Sequence, residues 1–454
     1  MPDDSSPTAA PERAAWSSRL GFILASAGSA VGLGAIWKFP YMAGSSGGAV
    51  FLLPYIVFSA GLGLTVLIAE MCMGRAAKGG AAKAFRLLGG RSAAPLGLIS
   101  VLTGTLILGF YSVVGGWCLH YFAEALTGGG AADDPTALKD AFSAFASSGL
   151  SPSLSHAAFL AATAAVVLFG IERGIERMSK ILMPLLFLLM LLLIARGLTL
   201  PGASAGLAFL FEPNPDAFTA EALLNALGFA FFSLSVGSGS MMNYGSYLSS
   251  KVNIGASTAW IVFLAVLSSI LGGLMVMPAV FAFGLSPDAG PGLTFATMPA
   301  VFAHLPFGGA FAVAFYACLF VAALTSAISI LEMSSQYWVD EHGLSKRSAV
   351  LGVSTFLGLL GILCALSFGP LADAKLFGMT LFELLDFATS NIGMPLGCLG
   401  IAWVAGVKAW PAAAAELCRN ANWPKSALKA FRFILCVAAP AVILLVAARG
   451  LGLF

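Results

Sequence analysis

A chain of 454 residues that is 59% hydrophobic and only 10% charged has too few polar side chains to cover a water-facing surface, which excludes a soluble globule. Its formal net charge of +2 is uninformative by itself, unlike the distribution of its basic residues, and no nucleic-acid partner is expected. The seven cysteines have no metal or redox spacing, so they read as small apolar packing residues.

Residues 1–15 are polar and carry Asp3, Asp4 and Glu12, the pattern of a cytoplasmic tail and not of a cleaved signal. The first predicted span, 19–43, contains Gly28-Ser29-Ala30-Val31-Gly32-Leu33-Gly34. Each glycine costs about 1 kcal/mol in a helix interior, so the helix is expected to unwind there. Irregular backbone at membrane depth persists only where it is buried in protein or lines a cavity. Apolar runs of bilayer-crossing length follow at 50–74, 96–126, 154–170 and 178–197. The next span, 222–248, holds a second interruption, Ser233-Leu234-Ser235-Val236-Gly237-Ser238-Gly239-Ser240. Five more follow at 256–284, 307–339, 347–367, 379–407 and 431–450, making eleven.

Placing the N-terminus in the cytoplasm leaves only Lys38, Lys139, Arg196, Lys375 and Arg449 of the 23 basic residues at or toward the outside, as the positive-inside rule requires. An odd number of spans then puts Phe454 outside, and the address expected is a bacterial inner membrane. Two broken helices, opening two halves of five spans, predict an all-α inverted repeat. Repeat one covers about 16–200, repeat two about 215–410, with an added span at 431–450, all in one domain from 16 to 454. Such repeats place a substrate site at the midplane between half-helices. The alternative is that these glycines serve close helix packing alone.

Ala322, Thr325 and Ser326 share one helix face. Neutral hydroxyl and carbonyl oxygens suit a monovalent hard cation better than calcium, which favours carboxylates. The alternative is a Thr/Ser pair bonding back to its own helix. Glu332 is an ionisable group at membrane depth, where such groups usually have a function. It could carry a coupled proton or make a structural hydrogen bond.

Trp16 to Leu24 with the glycine run and Trp37-Lys38-Phe39-Pro40-Tyr41, then Ile175 to Pro184, Phe231 to Gly239, and Ala322 to Ser326, together resemble the neurotransmitter:sodium symporter family. The likeness covers about Trp16 to Leu451 and is nearest to bacterial amino-acid transporters of the eleven-span type. It implies a leucine-transporter-like fold and sodium-coupled import of an amino acid or close zwitterion by alternating access. The implied sodium ligands are the carbonyls of Gly28 and Val31 with Ala322, Thr325 and Ser326. The second sodium site of the family falls on Ala35 and Leu264, which cannot coordinate sodium, so one ion is expected. Chloride is not expected. Tyr55, Ser233 and Ser268 match chloride-dependent members, but Phe229 occupies their glutamine position.

The implied substrate site comprises Ser29, Ala30, Leu33, Gly34, Ile107, Tyr111, Phe232, Ser233, Ser235, Ser238, Ser329 and Ile330. Gly32 stands where amine transporters carry aspartate, so the substrate should bring its own carboxylate. Serines at 238 and 329, apolar in leucine-transporting members, point to a small or polar amino acid or an ω-amino or sulfonate analogue. Lys38 and Asp386 align with the outer gate. Arg13 and Asp340, with Trp16 and Tyr247 around them, align with the inner one. Glu70 is expected to accept hydrogen bonds from unwound backbone. The partners expected are a small zwitterion and the lipid bilayer, with the protein a monomer or weak homodimer. Competing expectations are a proton-coupled or uncoupled carrier on the same fold and a non-transporting ligand sensor. No nucleophile–base pair or metal cluster points to an enzyme.

Overall fold

The computed structural model describes residues 14–129, 135–287, 294–295 and 298–453. Its described residues form helices α1 (Arg19–Ala30), α2 (Gly34–Ser45), α3 (Ala49–Ala77), α4 (Ala81–Gly89), α5 (Ala94–Leu126), α6 (Pro135–Ser147), α7 (Leu150–Leu168) and α8 (Ile171–Leu198). These are followed by α9 (Ala203–Phe211), α10 (Ala220–Ser233), α11 (Ser240–Ser246), α12 (Ile254–Ala282), α13 (Met298–Ala303), α14 (Gly308–His342), α15 (Lys346–Leu366), α16 (Leu381–Lys408), α17 (Trp410–Cys418) and α18 (Lys425–Gly450).

Among the described residues, nine helices are each long and apolar enough to cross a membrane, and α1 with α2 makes a tenth span bent by 48°. The sixth predicted span is α10 and α11, of 14 and 7 residues, each too short to cross alone. Ten of the eleven expected spans thus have a helix, or a bent helix pair, long and apolar enough to cross, and the sixth coincides with two short helices. The short helices α4, α6, α9, α13 and α17 were not anticipated.

Helix α14 runs through the middle, packed on α1, α5, α7, α8, α11 and α15, and is buried almost without interruption from Ala314 to Gln336. Five of the seven cysteines are buried, as packing residues should be. Cys418 is exposed and Cys436 half-buried, because α17 and α18 lie at the rim of the bundle.

Candidate functional site

The first interruption is narrower than the glycine run. Gly28, Ser29 and Ala30 remain helical, and the chain leaves the helix at Val31 and Gly32, with Leu33 back in helical conformation as α2 begins. A helix end leaves its last carbonyls without intrahelical donors. Here the Ser29 carbonyl accepts from Ser326 Oγ at 3.1 Å and Ser235 Oγ at 3.4 Å, tying α1 to both α14 and the second break. Gly32 is required by close approach: a Cβ there would lie 2.8 Å from the Tyr111 hydroxyl and 2.9 Å from Ser326.

The second interruption, 234–239, carries Ser235 at φ 54°, Gly237 at 86° and Gly239 at 83°. A serine in the left-handed region is uncommon and marks a backbone held by its surroundings. Glu70 on α3 supplies part of that hold: its carboxylate accepts from Gly237 N at 3.2 Å and Met242 N at 3.3 Å. The expected role of Glu70 is thus observed. Ser238 Oγ donates to Ser235 O at 2.8 Å.

Between the breaks lies a cavity of about 50 Å³. Ten of the twelve residues expected to bind substrate line it: Ser29, Ala30, Gly34, Ile107, Tyr111, Phe232, Ser233, Ser235, Ser238 and Ile330, joined by Gly32, Ser326 and Met394. Leu33 and Ser329 do not line it. Leu33 instead donates its backbone N–H to the Tyr111 hydroxyl at 3.1 Å. Ser329 is spent inside the helix packing, 2.5 Å from Ser29 Oγ and donating to Ser326 O at 2.8 Å. Since Tyr111 accepts from Leu33, its own proton is left for another acceptor.

The helices that carry the oxygens named for a cation meet beside this cavity. A Cβ on Gly28 would stand 3.1 Å from Thr325 Cβ, so α1 and α14 touch at this point. Thr325 Oγ1 does bond back to its own helix, donating to Ala322 O at 3.1 Å. Ser326 crosses to α1. Both hydroxyls are donors here, so their oxygens keep lone pairs for a cation, and the neutral oxygen set fits sodium.

At the Ala35 and Leu264 positions no side-chain oxygen is available. Ser233 Oγ accepts from Tyr55 at 3.3 Å and donates to Ala230 O at 3.3 Å. Ser269, and not Ser268, meets the Tyr55 hydroxyl at 2.9 Å. Ser268 bonds back to Leu264 O at 2.7 Å, because one residue of helix is a turn of about 100°. The Phe229 ring packs 5.1 Å from that of Tyr55.

On the outer side the expected Lys38–Asp386 ion pair is not formed. Lys38 Nζ sits 4.0 Å over the Phe232 ring, a cation–π contact, while Asp386 accepts from Ser390 at 3.1 Å. Phe232 and Met394 line both the inner cavity and a second cavity of about 280 Å³ that also reaches Lys38 and Arg449. These two side chains are the partition between the two cavities.

Arg13 lies outside the described residues, so its pairing with Asp340 is not described. Asp340 accepts from Gly80 N at 3.0 Å and Gln336 at 2.8 Å. Trp16 donates to Tyr244 O at 3.1 Å and packs edge-on to the Tyr244 and Tyr247 rings. Sequence reading found no partner for Glu332. Here it accepts from Tyr247 at 2.8 Å and pairs with Lys346 at 2.7 Å. It also overlooked Glu176, which receives Ser17 N and the hydroxyls of Ser17 and Ser18 at 2.7–2.8 Å. Neither partnership follows a local spacing: residues 85 and 159 apart meet only once the helices pack.

A family model described as the sodium:neurotransmitter symporter family matches residues 13–132 and 143–451. An uncharacterised sodium-dependent transporter of Bacillus subtilis (strain 168), YhdH, is 40% identical over 442 residues, covering 96% of this chain and 98% of that protein. The sodium- and chloride-dependent taurine transporter of Bos taurus is 25% identical over 461 residues, covering 89% of this chain and 73% of the relative. Among solved structures, MhsT in complex with L-phenylalanine superposes with a TM-score of 0.88 at 39% identity, covering 96% of this chain and 99% of that one.

Proposed function

The chain belongs to the sodium:neurotransmitter symporter family, a family of membrane transporters and not of enzymes, and from that premise we propose that it imports an amino acid or a close zwitterionic analogue together with one sodium ion. The observation that carries this reading is the contact of the α1 break with the Thr325–Ser326 face of α14. Gly28, Val31, Ala322, Thr325 and Ser326 would hold the ion, and the same break would present Leu33, Gly34 and Tyr111 to the substrate carboxylate. Helix N-termini favour anions, and freed carbonyls favour an ammonium. Ion and substrate thus share one short stretch of backbone, which couples their binding.

Phe232 serves as the lid: it separates the inner cavity from the outer one. Lys38 over its face holds the ring, and meeting Asp386 would complete closure. On the opposite side Trp16, Tyr247, Glu332 and Lys346, with Glu176 on Ser17 and Ser18, form the seal that must open for release. We assign it to a bacterial inner membrane with the N-terminus cytoplasmic and the C-terminus outside, a reading supported by the bias of basic residues along the sequence. The absence of oxygen ligands at Ala35 and Leu264 favours a single sodium, and Phe229 beside Tyr55 disfavours chloride.

Thermal unfolding of the purified protein against a panel of amino acids, in sodium and in potassium, tests the pairing of ion with substrate. Stabilisation by one or more amino acids that is larger in sodium is the expected outcome. Equal stabilisation in both salts would favour the proton-coupled or uncoupled carrier.

A further inference from the structure

An apolar groove of about 440 Å³ lies outside the transport site, between α5, the end of α14 and the start of α15. Its walls are Leu98, Leu102, Trp338 and Phe356, side chains left 40–51% exposed. Its floor is Ala349 and Gly352. Gly352 faces open space: a Cβ there would meet nothing within 4 Å. Along α5 the lining runs from Leu98 to Thr105, and along α15 from Ser348 to Phe356. At 1.5 Å per residue these stretches are about 11 and 12 Å long, enough for the upper half of an acyl chain entering from the bundle end.

All three helices are membrane-spanning, so a lipid chain and not water meets this groove. Charge at its mouth selects the headgroup. Lys346 is paired with Glu332, and Arg86 with Glu341. Arg347, next to the lining residue Ser348, and Arg91, in the turn that leads into α5, are both exposed. Neither has an ion-pair partner among the described residues. Two exposed guanidiniums without an ion-pair partner among the described residues therefore lie, in sequence, at the starts of the two helices whose first turns lead into the groove.

We propose that this groove is a binding site for one anionic phospholipid, its acyl chain against Ala349 and Gly352 and its phosphate at Arg91 and Arg347. Each basic residue near a membrane surface contributes roughly a five-fold preference for anionic lipid.

The test is quenching of Trp338 by lipids with brominated chains, in nanodiscs of the full chain, read as wild type minus Trp338→Phe. Brominated phosphatidylglycerol should half-saturate the quench at a mole fraction at least roughly five-fold lower than brominated phosphatidylcholine. The double variant Arg91→Gln, Arg347→Gln should abolish that preference while the neutral lipid still quenches. Gly352→Leu, which has room to fold normally, should remove the quench by filling the floor. Equal quenching by both lipids in the wild type would overturn the proposal, leaving ordinary boundary lipid. No quench by either lipid in a dimeric preparation would also overturn it, with a second copy covering the face.

Discussion

Gly32→Ala places one methyl at the centre of the proposed site. The new Cβ would stand 2.8 Å from the Tyr111 hydroxyl and 2.9 Å from Ser326 Cβ and Oγ, closer than a carbon can approach either. Something must move, and the Tyr111 hydroxyl, the nearest of the three atoms, stands at the far end of its side chain. Its displacement breaks the 3.1 Å bond from Leu33 N and withdraws the donor meant for the substrate carboxylate. A hydrogen bond to a charged group contributes about 1.5–3 kcal/mol, so the apparent affinity should fall by roughly 10- to 100-fold. Competition binding of the best amino acid found by thermal shift measures this directly. Tyr111→Phe should lose a similar factor alone. In that background Gly32→Ala should cost less than half of its effect in the wild type, because the nearest clashing atom is gone. Wild-type affinity in Gly32→Ala, or full additivity of the two changes, would refute the placement of Tyr111 at the carboxylate.

Thr325→Ala should raise the sodium concentration for half-maximal substrate binding at least about 10-fold, the loss of one charge-assisted ligand, and Thr325→Ser should restore most of it in a sodium titration. Lys346→Met leaves the buried Glu332 carboxylate with Tyr247 alone, which should cost about 3 kcal/mol. Thermal unfolding should then recover in the double variant with Glu332→Gln. Ser329→Ala should leave amino-acid selectivity unchanged, since Ser329 does not line the cavity. Its cost should be confined to roughly 1 kcal/mol of stability from the lost Ser29 partner, read as a small drop in melting temperature.

The membrane-spanning architecture was legible because the signal is local: a run of apolar residues must cross the bilayer whatever surrounds it. The breaks were legible for the same reason, since Gly32 and Gly237–Gly239 weaken a helix by their own chemistry. The extent of unwinding was not. Gly28 to Ala30 stay helical because α14 supports them through Ser326 and Ser329, a tertiary contact that no spacing within the first span reveals. Ser329 was expected in the pocket because the family resemblance puts it at a position that is apolar in leucine-transporting members. Its hydroxyl turns instead to Ser29 and the helix backbone. Glu332 looked isolated because Tyr247 and Lys346 arrive from other helices. Met394 carried no signal, being one apolar residue within an apolar span, yet it lines both cavities. The same limit applied to the short helices at the bundle ends, whose amphipathic patterns are too brief to stand out from loops.

Sodium coupling at Thr325 and Ser326 is tested most directly by uptake into proteoliposomes. Amino acids selected by thermal shift would be supplied with an inward sodium gradient, a sodium-free potassium control and an inward proton gradient, for wild type and Thr325→Ala. The expected result is accumulation above equilibrium only with the sodium gradient, lost in Thr325→Ala. Accumulation driven by protons alone, equal in the two proteins, would contradict the assignment of that cluster as the coupling site.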